Sequence, residues 1–386
     1  MVFKNTFYMN DRKQITTKRF FGLDFLRALS ISLLLFSHCS WIYNSTTIIG
    51  KLQDASGFVG VELFIVLSGF LIGGILYKQF LHKDYNLKDA VMFLSRRLIR
   101  VLPSYYLIVF ILTIVYLIFG FSIHEVWKYV LLIQNFATPI PAFFSESWSL
   151  PVKEMGYIFV VVLLLISSKM VARSLKKYLF LTIIIGLIAT TFFAKIYYDL
   201  HSENLDLKQW SFQIRAVVIY RIDSVLIGVL FGYCYTNYKE FIMAKRWFFL
   251  LVGISLFLFL TACLVVFKLR LSNASWFWNI LCLPMVSLAI CMFIPVLLNW
   301  KMPSERIGKV ITFVCNISYS IYLLHYSLVL FLMKYFIDTT NYEIWQLNIF
   351  TFFYLLITIV LSYLLFNYFE KPINQYRAKN LKLDDK

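Results

Sequence analysis

The chain has 386 residues, of which 60% are hydrophobic and only 15% charged. So small a polar pool cannot cover the surface of a soluble protein, and lipid must be the solvent for much of this one. The formal charge of +17 does not call for nucleic acid, because an excess of basic residues in cytoplasmic loops explains it first.

Apolar runs of about twenty residues, the length a helix needs to cross roughly 30 Å of hydrocarbon, fall at 22–43, 57–77, 101–121, 149–167, 178–198, 216–236, 247–267, 278–299, 310–334 and 346–368. The predicted fold is all-α: one polytopic bundle of ten spans. It divides into a basic tail at 1–21, a membrane domain at 22–368 and a second tail at 369–386. The N-terminal residues are polar and basic, and the first apolar run lacks a small-residue cleavage site, so the first span is expected to be uncleaved.

In chain order, span 1 carries Asp24 and Arg27 at its start and His38 toward its end. Eleven residues separate Arg27 from His38, about 16 Å along a helix, so the two cannot touch through span 1. Span 2 carries Glu62. The basic segment 78–100 delivers Arg96, Arg97 and Arg100 to the start of span 3. The segment 122–148 contains Trp127, Tyr129, Leu131, Pro139 and Pro141, and can lie along the interface or cap a cavity. Span 4 holds Lys153 and Glu154, span 5 holds Lys195, span 6 holds Arg221 and Asp223, and span 9 holds His325 and Lys334. The sequons at Asn44 and Asn273 are too short to carry weight. The six cysteines lie in or beside apolar runs and form no CxxC pair, which argues against a disulfide framework or a metal site.

Loop charge orients the bundle. Of 37 Lys and Arg residues, 26 lie in segments 1–21, 78–100, 168–177, 237–246, 300–309 and 369–386, and six lie in the alternate loops. The first set is expected to be cytoplasmic, with both termini on that side.

Each charge inside a span costs about 2.5–3.5 kcal/mol on insertion scales unless paired or hydrated. Lys195 and Lys334 lie near span ends, where the amine is expected to snorkel to the interface. Glu62, Glu154, Arg221 and Asp223 lie five to seven residues inside the outer ends of spans 2, 4 and 6. With His38 and His325 they are expected to share a polar cavity in the outer half. Structural pairing of Arg221 and Asp223 is the competing reading.

Seven segments in order resemble the acyltransferase type 3 family of polytopic membrane O-acyltransferases. They are Gly22-Leu-Asp-Phe-Leu-Arg-Ala-Leu-Ser with His38 after it; Gly60-Val-Glu-Leu-Phe-Ile-Val-Leu-Ser-Gly-Phe-Leu-Ile; Arg96-Arg-Leu-Ile-Arg-Val-Leu-Pro-Ser-Tyr-Tyr; Glu146-Ser-Trp-Ser-Leu-Pro-Val-Lys-Glu; Arg221-Ile-Asp-Ser-Val-Leu-Ile-Gly; Ser318-Tyr-Ser-Ile-Tyr-Leu-Leu-His; and Glu370-Lys-Pro. The resemblance spans about 20 to 375. One departure stands out: the family usually has Glu directly after the valine of the fourth motif, where this chain has Lys153 and then Glu154.

The resemblance implies transfer of an acyl group, most often acetyl, from cytoplasmic acyl-CoA to a hydroxyl of a cell-surface polysaccharide, lipopolysaccharide or lipid-linked glycan. It implies no permanently bound cofactor and a bacterial inner membrane. His38 is the expected general base, with Glu154 and Arg221 in the catalytic set. Arg221 or Ser68 would stabilise the oxyanion. Glu62, Glu154 or Asp223 would orient His38, and Arg27 would contact the donor or pair with Asp24. His325 is a supporting residue. Arg97, Arg100 and Tyr105 would bind the donor, the two guanidiniums as adjacent forks for CoA phosphates. The reading from another class is a transporter of a glycan or acylated product; the hydropathy shows none of the half-to-half symmetry that it predicts.

Overall fold

The computed structural model describes residues 20–43, 48–81, 85–202 and 206–380. Within them ten helices are long and apolar enough to cross a membrane: α1 (Phe21–Tyr43), α2 (Ile49–Phe80), α3 (Leu87–Ile118), α4 (Ala142–Ser167), α5 (Arg173–His201), α6 (Val218–Asn237), α7 (Arg246–Val265), α8 (Phe277–Leu298), α9 (Glu305–Phe336) and α10 (Ile344–Tyr376). No strand occurs among the described residues. The ten predicted spans are all present, and the chain is a multi-pass integral membrane protein. The predicted N-terminal tail, up to residue 19, and the sequon at Asn44 lie outside the described residues.

Several helices outrun their apolar cores. α3 begins at Leu87, not near 101, because Asn86 and Asp89 form a capping box: the Asn86 side chain accepts from the Lys88 and Asp89 amides, and Asp89 accepts from the Asn86 amide. Most of the predicted basic loop 78–100 is therefore helix. At the other end of the chain, helix continues past 368 to Asn380. A π turn at Phe366–Glu370 widens the backbone just ahead of Pro372, whose ring would crowd the carbonyl four residues earlier in a regular α-helix.

The centre of the bundle is the α2–α6 crossing. Gly69 and Gly73 on α2 face Gly228 and Gly232 on α6, two small-xxx-small pairs in register. A Cβ at Gly69 would collide with the Val225 carbonyl, and one at Gly228 with the Val66 carbonyl. The absent side chains let the two backbones touch, which is how helices pack where lipid gives no hydrophobic drive. α1 packs along α2 through Ser30, whose hydroxyl donates to the Gly60 carbonyl at 2.5 Å, and Ser56, which donates to Leu33. α7 lies on the periphery and turns Trp247, Phe248, Leu251 and Leu258 outward, as expected of a lipid-facing helix.

We call the end of the bundle where α1 starts the basic face, and the other end the opposite face. The segment 122–148 folds back into the opposite face as a cap. Gln134 and Asn135 are wholly buried there. Asn135 donates to the Trp148 carbonyl at 2.9 Å, and its own carbonyl receives the Val218 amide at 2.9 Å. One residue thus ties the start of α4 to the start of α6.

Candidate active site

α1 reaches the opposite face at His38, and α9 passes it at His325. At that point α9 leaves the α-helical ladder for a π segment, His325–Leu330. The widened turn turns the His325 ring inward, toward α1. The two imidazoles lie 4.8 Å apart between centroids, edge to face at 66°. Tyr326 stands 4.6 Å from the His38 ring and Trp41 packs 5.9 Å from Tyr326, so aromatic rings wall the pair.

The hydrogen bonds of His325 fix its tautomer. Its Nδ1 is 3.1 Å from the Ile321 carbonyl and 3.0 Å from that of Tyr322. Carbonyls only accept, so Nδ1 carries the proton and Nε2 presents a lone pair. That Nε2 is buried without a hydrogen-bond partner, and so is Nδ1 of His38. Leaving a buried polar atom unpaired costs about 1–3 kcal/mol. Two such nitrogens on touching rings mark the place where a polar ligand is missing or where a proton is to be moved.

Around the pair, Tyr322 donates its hydroxyl to the Glu146 carbonyl at 2.8 Å and receives Ser149 Oγ at 3.1 Å. The Glu146 carboxylate accepts the Ser327 amide at 2.8 Å and the Ser327 hydroxyl. Glu146, Ser149, Lys153 and Tyr157 recur at helical spacing on α4 and form a stripe from the histidines toward the basic face. Lys153 lies along it with its amine 5.5 Å from the Phe64 ring and 5.6 Å from the Tyr322 ring.

Sequence reasoning missed Arg215. It ends a π segment, Ser211–Arg215, in the loop before α6. Its guanidinium lies 5.0 Å from the Phe58 ring and 5.3 Å from that of Trp148. It donates to the Gly57 carbonyl and to Ser211 Oγ, each at 3.4 Å, and its Nε is buried and unpaired. Gly57 abuts Ser37, the residue before His38. Burial drives the guanidinium down to about 10, so it remains a cation at neutral pH. The signal for it was its setting: a lone Arg just before a span, in a loop set poor in basic residues.

The structure separates the other expected site residues into three groups. Glu62, Arg221, Asp223 and Lys195 form a closed, wholly buried ion network, in which Arg221 meets Glu62, Asp223 and Ser224, and Lys195 meets Asp223. Ser287 joins it through Ser224 at 2.8 Å. Gly60 packs at the level of Ser30 on α1, eight residues before His38, and Glu62 lies two residues beyond it, so this network lies about 15 Å deeper than His38. Arg221 and the carboxylates Glu62 and Asp223 are thus not brought to the histidine. Lys195 does not snorkel as expected: it has no exposed surface, because α6 offers Asp223 as a closer partner than the interface.

Glu154 and Arg97, expected at the histidine and at the donor respectively, are paired with each other. Arg97 Nε and Nη2 reach the two carboxylate oxygens at 2.7 and 2.8 Å, with the Tyr157 ring 3.8 Å beneath the guanidinium. Asp24 and Arg27 share Cys315, its sulfur 3.4 Å from Asp24 and 3.9 Å from Arg27. Arg100 is exposed and lies near the Glu370 carboxylate, which Ser320 holds at 2.7 Å. Ser68 is half-buried on α2, eight residues past Gly60 and so about 12 Å farther from His38 than the Ser30 level. Tyr105 is buried and donates to the Tyr129 carbonyl at 3.1 Å; its ring pins the cap, about 12 Å along α3 from Arg97.

Comparison with known proteins yields one family, Acyltransferase domain, matching residues 20–367. A Staphylococcus aureus (strain COL) protein named "Putative O-acetyltransferase" is 24% identical over 382 residues, covering 93% of this chain and 58% of its own. The peptidoglycan O-acetyltransferase OatA of Listeria monocytogenes is 22% identical over 398 residues, 92% of this chain and 56% of its own. A Bacillus subtilis protein named "Putative peptidoglycan O-acetyltransferase" is 30% identical over 155 residues, 36% of this chain and 22% of its own. The chain spans little more than half the length of the first two relatives. No solved structure gives a significant match.

Proposed function

The chain belongs to the acyltransferase family that matches residues 20–367, and from that premise we propose that it is a membrane O-acetyltransferase. The donor is acetyl-CoA entering from the basic face, and the acceptor is a hydroxyl of a cell-surface glycan reaching the opposite face. The observation that carries this reading is the His38–His325 pair with its two buried, unpaired ring nitrogens.

In this scheme His38 removes the proton from the acceptor hydroxyl as its oxygen attacks the thioester carbonyl. Arg215 faces the developing oxyanion, a role that its place beside Gly57 and Ser37 suits better than that of Arg221, whose charge Glu62 and Asp223 neutralise deeper in the bundle. The C–O bond forms, the C–S bond breaks, and the proton on His38 leaves with the CoA thiolate as the thiol. Exposed Arg100 is the first phosphate contact for CoA. Arg97, held by Glu154, shapes the mouth beside it. The α4 stripe, with Lys153 and Ser149, leads the pantetheine arm toward the histidines.

The acceptor reads as peptidoglycan or a related glycan, because the Listeria relative carries that name. A cleft of about 430 Å³ beside the cap, lined by Tyr116, Ser122, Glu125, Pro141, Phe143 and Phe331, offers it a route. The loop charge asymmetry supports a cytoplasmic basic face, and residues 22–368 are in this reading the catalytic domain of a bacterial inner-membrane protein. Incubating the purified protein with radiolabelled acetyl-CoA and glycan fragments tests the reading. Label on the glycan with release of CoA supports it; no CoA release from a folded, donor-bound protein refutes it.

A further inference from the structure

Among the described residues, no carboxylate is seen to orient the proposed general base. Glu62 and Asp223 belong to the buried ion network, Glu154 is held by Arg97 through both oxygens, and Glu146 accepts two bonds from Ser327. What touches the His38 ring instead is a second imidazole. We infer that His325 is the positioning residue for His38: its Nε2 lone pair accepts the Nδ1–H of His38, which leaves Nε2 of His38 as the atom that takes the acceptor's proton. The inference rests on the acyl-transfer reading above and names a part of that site.

The geometry supplies each half of the bond. His325 can only accept at Nε2, because its Nδ1–H is held by the Ile321 and Tyr322 carbonyls. His38 has an unpaired, buried Nδ1. The rings lie edge to face at 4.8 Å between centroids, so the two unpaired nitrogens belong to rings in contact; with His325 held by its carbonyls, the inferred bond forms by turning the His38 ring about its Cβ–Cγ bond. The two carbonyls fix the orientation of His325, as outer partners fix the rings of metal-bound histidines. The π turn is what brings this ring to face α1.

A neutral orienting group also suits the setting. A carboxylate beside His38 would place a formal charge deep in a lipid-embedded bundle, at a cost of several kcal/mol unless fully paired. An imidazole whose donor is already satisfied gives the same directional acceptor with no charge at rest. Its cost is weaker stabilisation of the imidazolium during turnover than a carboxylate would give. His325 therefore contributes mainly by orientation and tautomer control, the part of a catalytic triad that fails when the base holds its proton on the wrong nitrogen.

Two substitutions separate this role from packing. His325→Asn keeps a donor for the Ile321 and Tyr322 carbonyls but lacks an acceptor long enough to meet His38. His325→Gln places an amide oxygen where Nε2 was. With the full-length protein in nanodiscs, the expected result is a loss of kcat by about 100-fold in His325→Asn, with the acetyl-CoA KM and Tm close to the parent. His325→Gln should stay within about tenfold of the parent. Parent-like turnover in His325→Asn overturns the inference, as does a folded His325→Gln as inactive as His325→Asn. His38→Ala is run alongside. If it retains full turnover, the general-base role of His38 fails and the inference with it; if it is inactive while His325→Asn is not, only the positioning role of His325 fails; and if the folded, donor-bound parent itself releases no CoA, the acyl-transfer reading fails.

Discussion

Arg97 and Glu154, 57 positions apart on α3 and α4, are joined by two parallel hydrogen bonds of 2.7 and 2.8 Å above the face of Tyr157. A guanidinium in such a bidentate, stacked site is not a free phosphate ligand. The pair therefore divides the two arginines of the Arg97–Arg100 motif, and the division can be measured.

Arg97→Gln leaves Glu154 buried without its cation and should lower stability by about 3–5 kcal/mol, the usual cost of stranding one member of a buried pair. Arg100→Gln should leave Tm within a few degrees and raise the KM for acetyl-CoA several-fold. Thermal unfolding and donor titration on the same preparations check both. A stable Arg97→Gln with weakened donor binding would return Arg97 to the phosphate site.

His38→Gln and His38→Ala should fold, bind acetyl-CoA and lose at least about 100-fold in transfer, the scale of a missing general base. Gln preserves size and hydrogen bonding, so a purely structural His38 would leave His38→Gln active. Donor binding, Tm and turnover on each variant decide between the two.

Arg215→Gln should reduce kcat by about 10²–10³-fold if the guanidinium stabilises the oxyanion, with little change in donor KM. Arg215→Lys should recover part of the loss, since an ammonium keeps the charge but not the stacking on Phe58 and Trp148. Because the guanidinium titrates at about 10, its contribution should hold across pH 6 to 9 and fade only as the pH rises through 10. Loss of that contribution well below pH 9 would show that another group carries it.

The α2–α6 crossing predicts a contrast between glycines. Gly228→Val drives a side chain into the Val66 carbonyl and the Phe70 amide and should cost about 1–3 kcal/mol or more. Gly186→Ala meets nothing within 4 Å and should be neutral or stabilising by up to about 1 kcal/mol. Tm by tryptophan fluorescence or scanning calorimetry in detergent reads both.

The number and order of spans were legible in the chain because hydrocarbon thickness is a one-dimensional ruler. A helix must offer about twenty apolar residues, and ten runs did. The early start of α3 was legible too: Asn86-Leu-Lys-Asp89 is a capping box written in four consecutive residues, although hydropathy alone overlooked it. So was the small-residue spacing of Gly69, Gly73, Gly228 and Gly232. These signals are local, or depend on composition at a fixed spacing.

Pairing was not legible. Glu62 meets Arg221 across 159 positions, Arg97 meets Glu154 across 57 and Lys195 meets Asp223 across 28. Depth read from the spans puts Glu62, Arg221 and Asp223 at similar heights but sets Glu154 with the histidines and Arg97 at the basic face, and it says nothing about which helix faces which. A buried charge takes the nearest partner that its helix packing offers, because leaving it unpaired costs more than almost any other local choice. The sequence by itself determined the ten-helix membrane fold and its cargo of buried ionisable groups. Only the tertiary packing decided that most of those charges neutralise one another, and that His38, His325 and Arg215 are among the described residues that keep unpaired nitrogens at the opposite face.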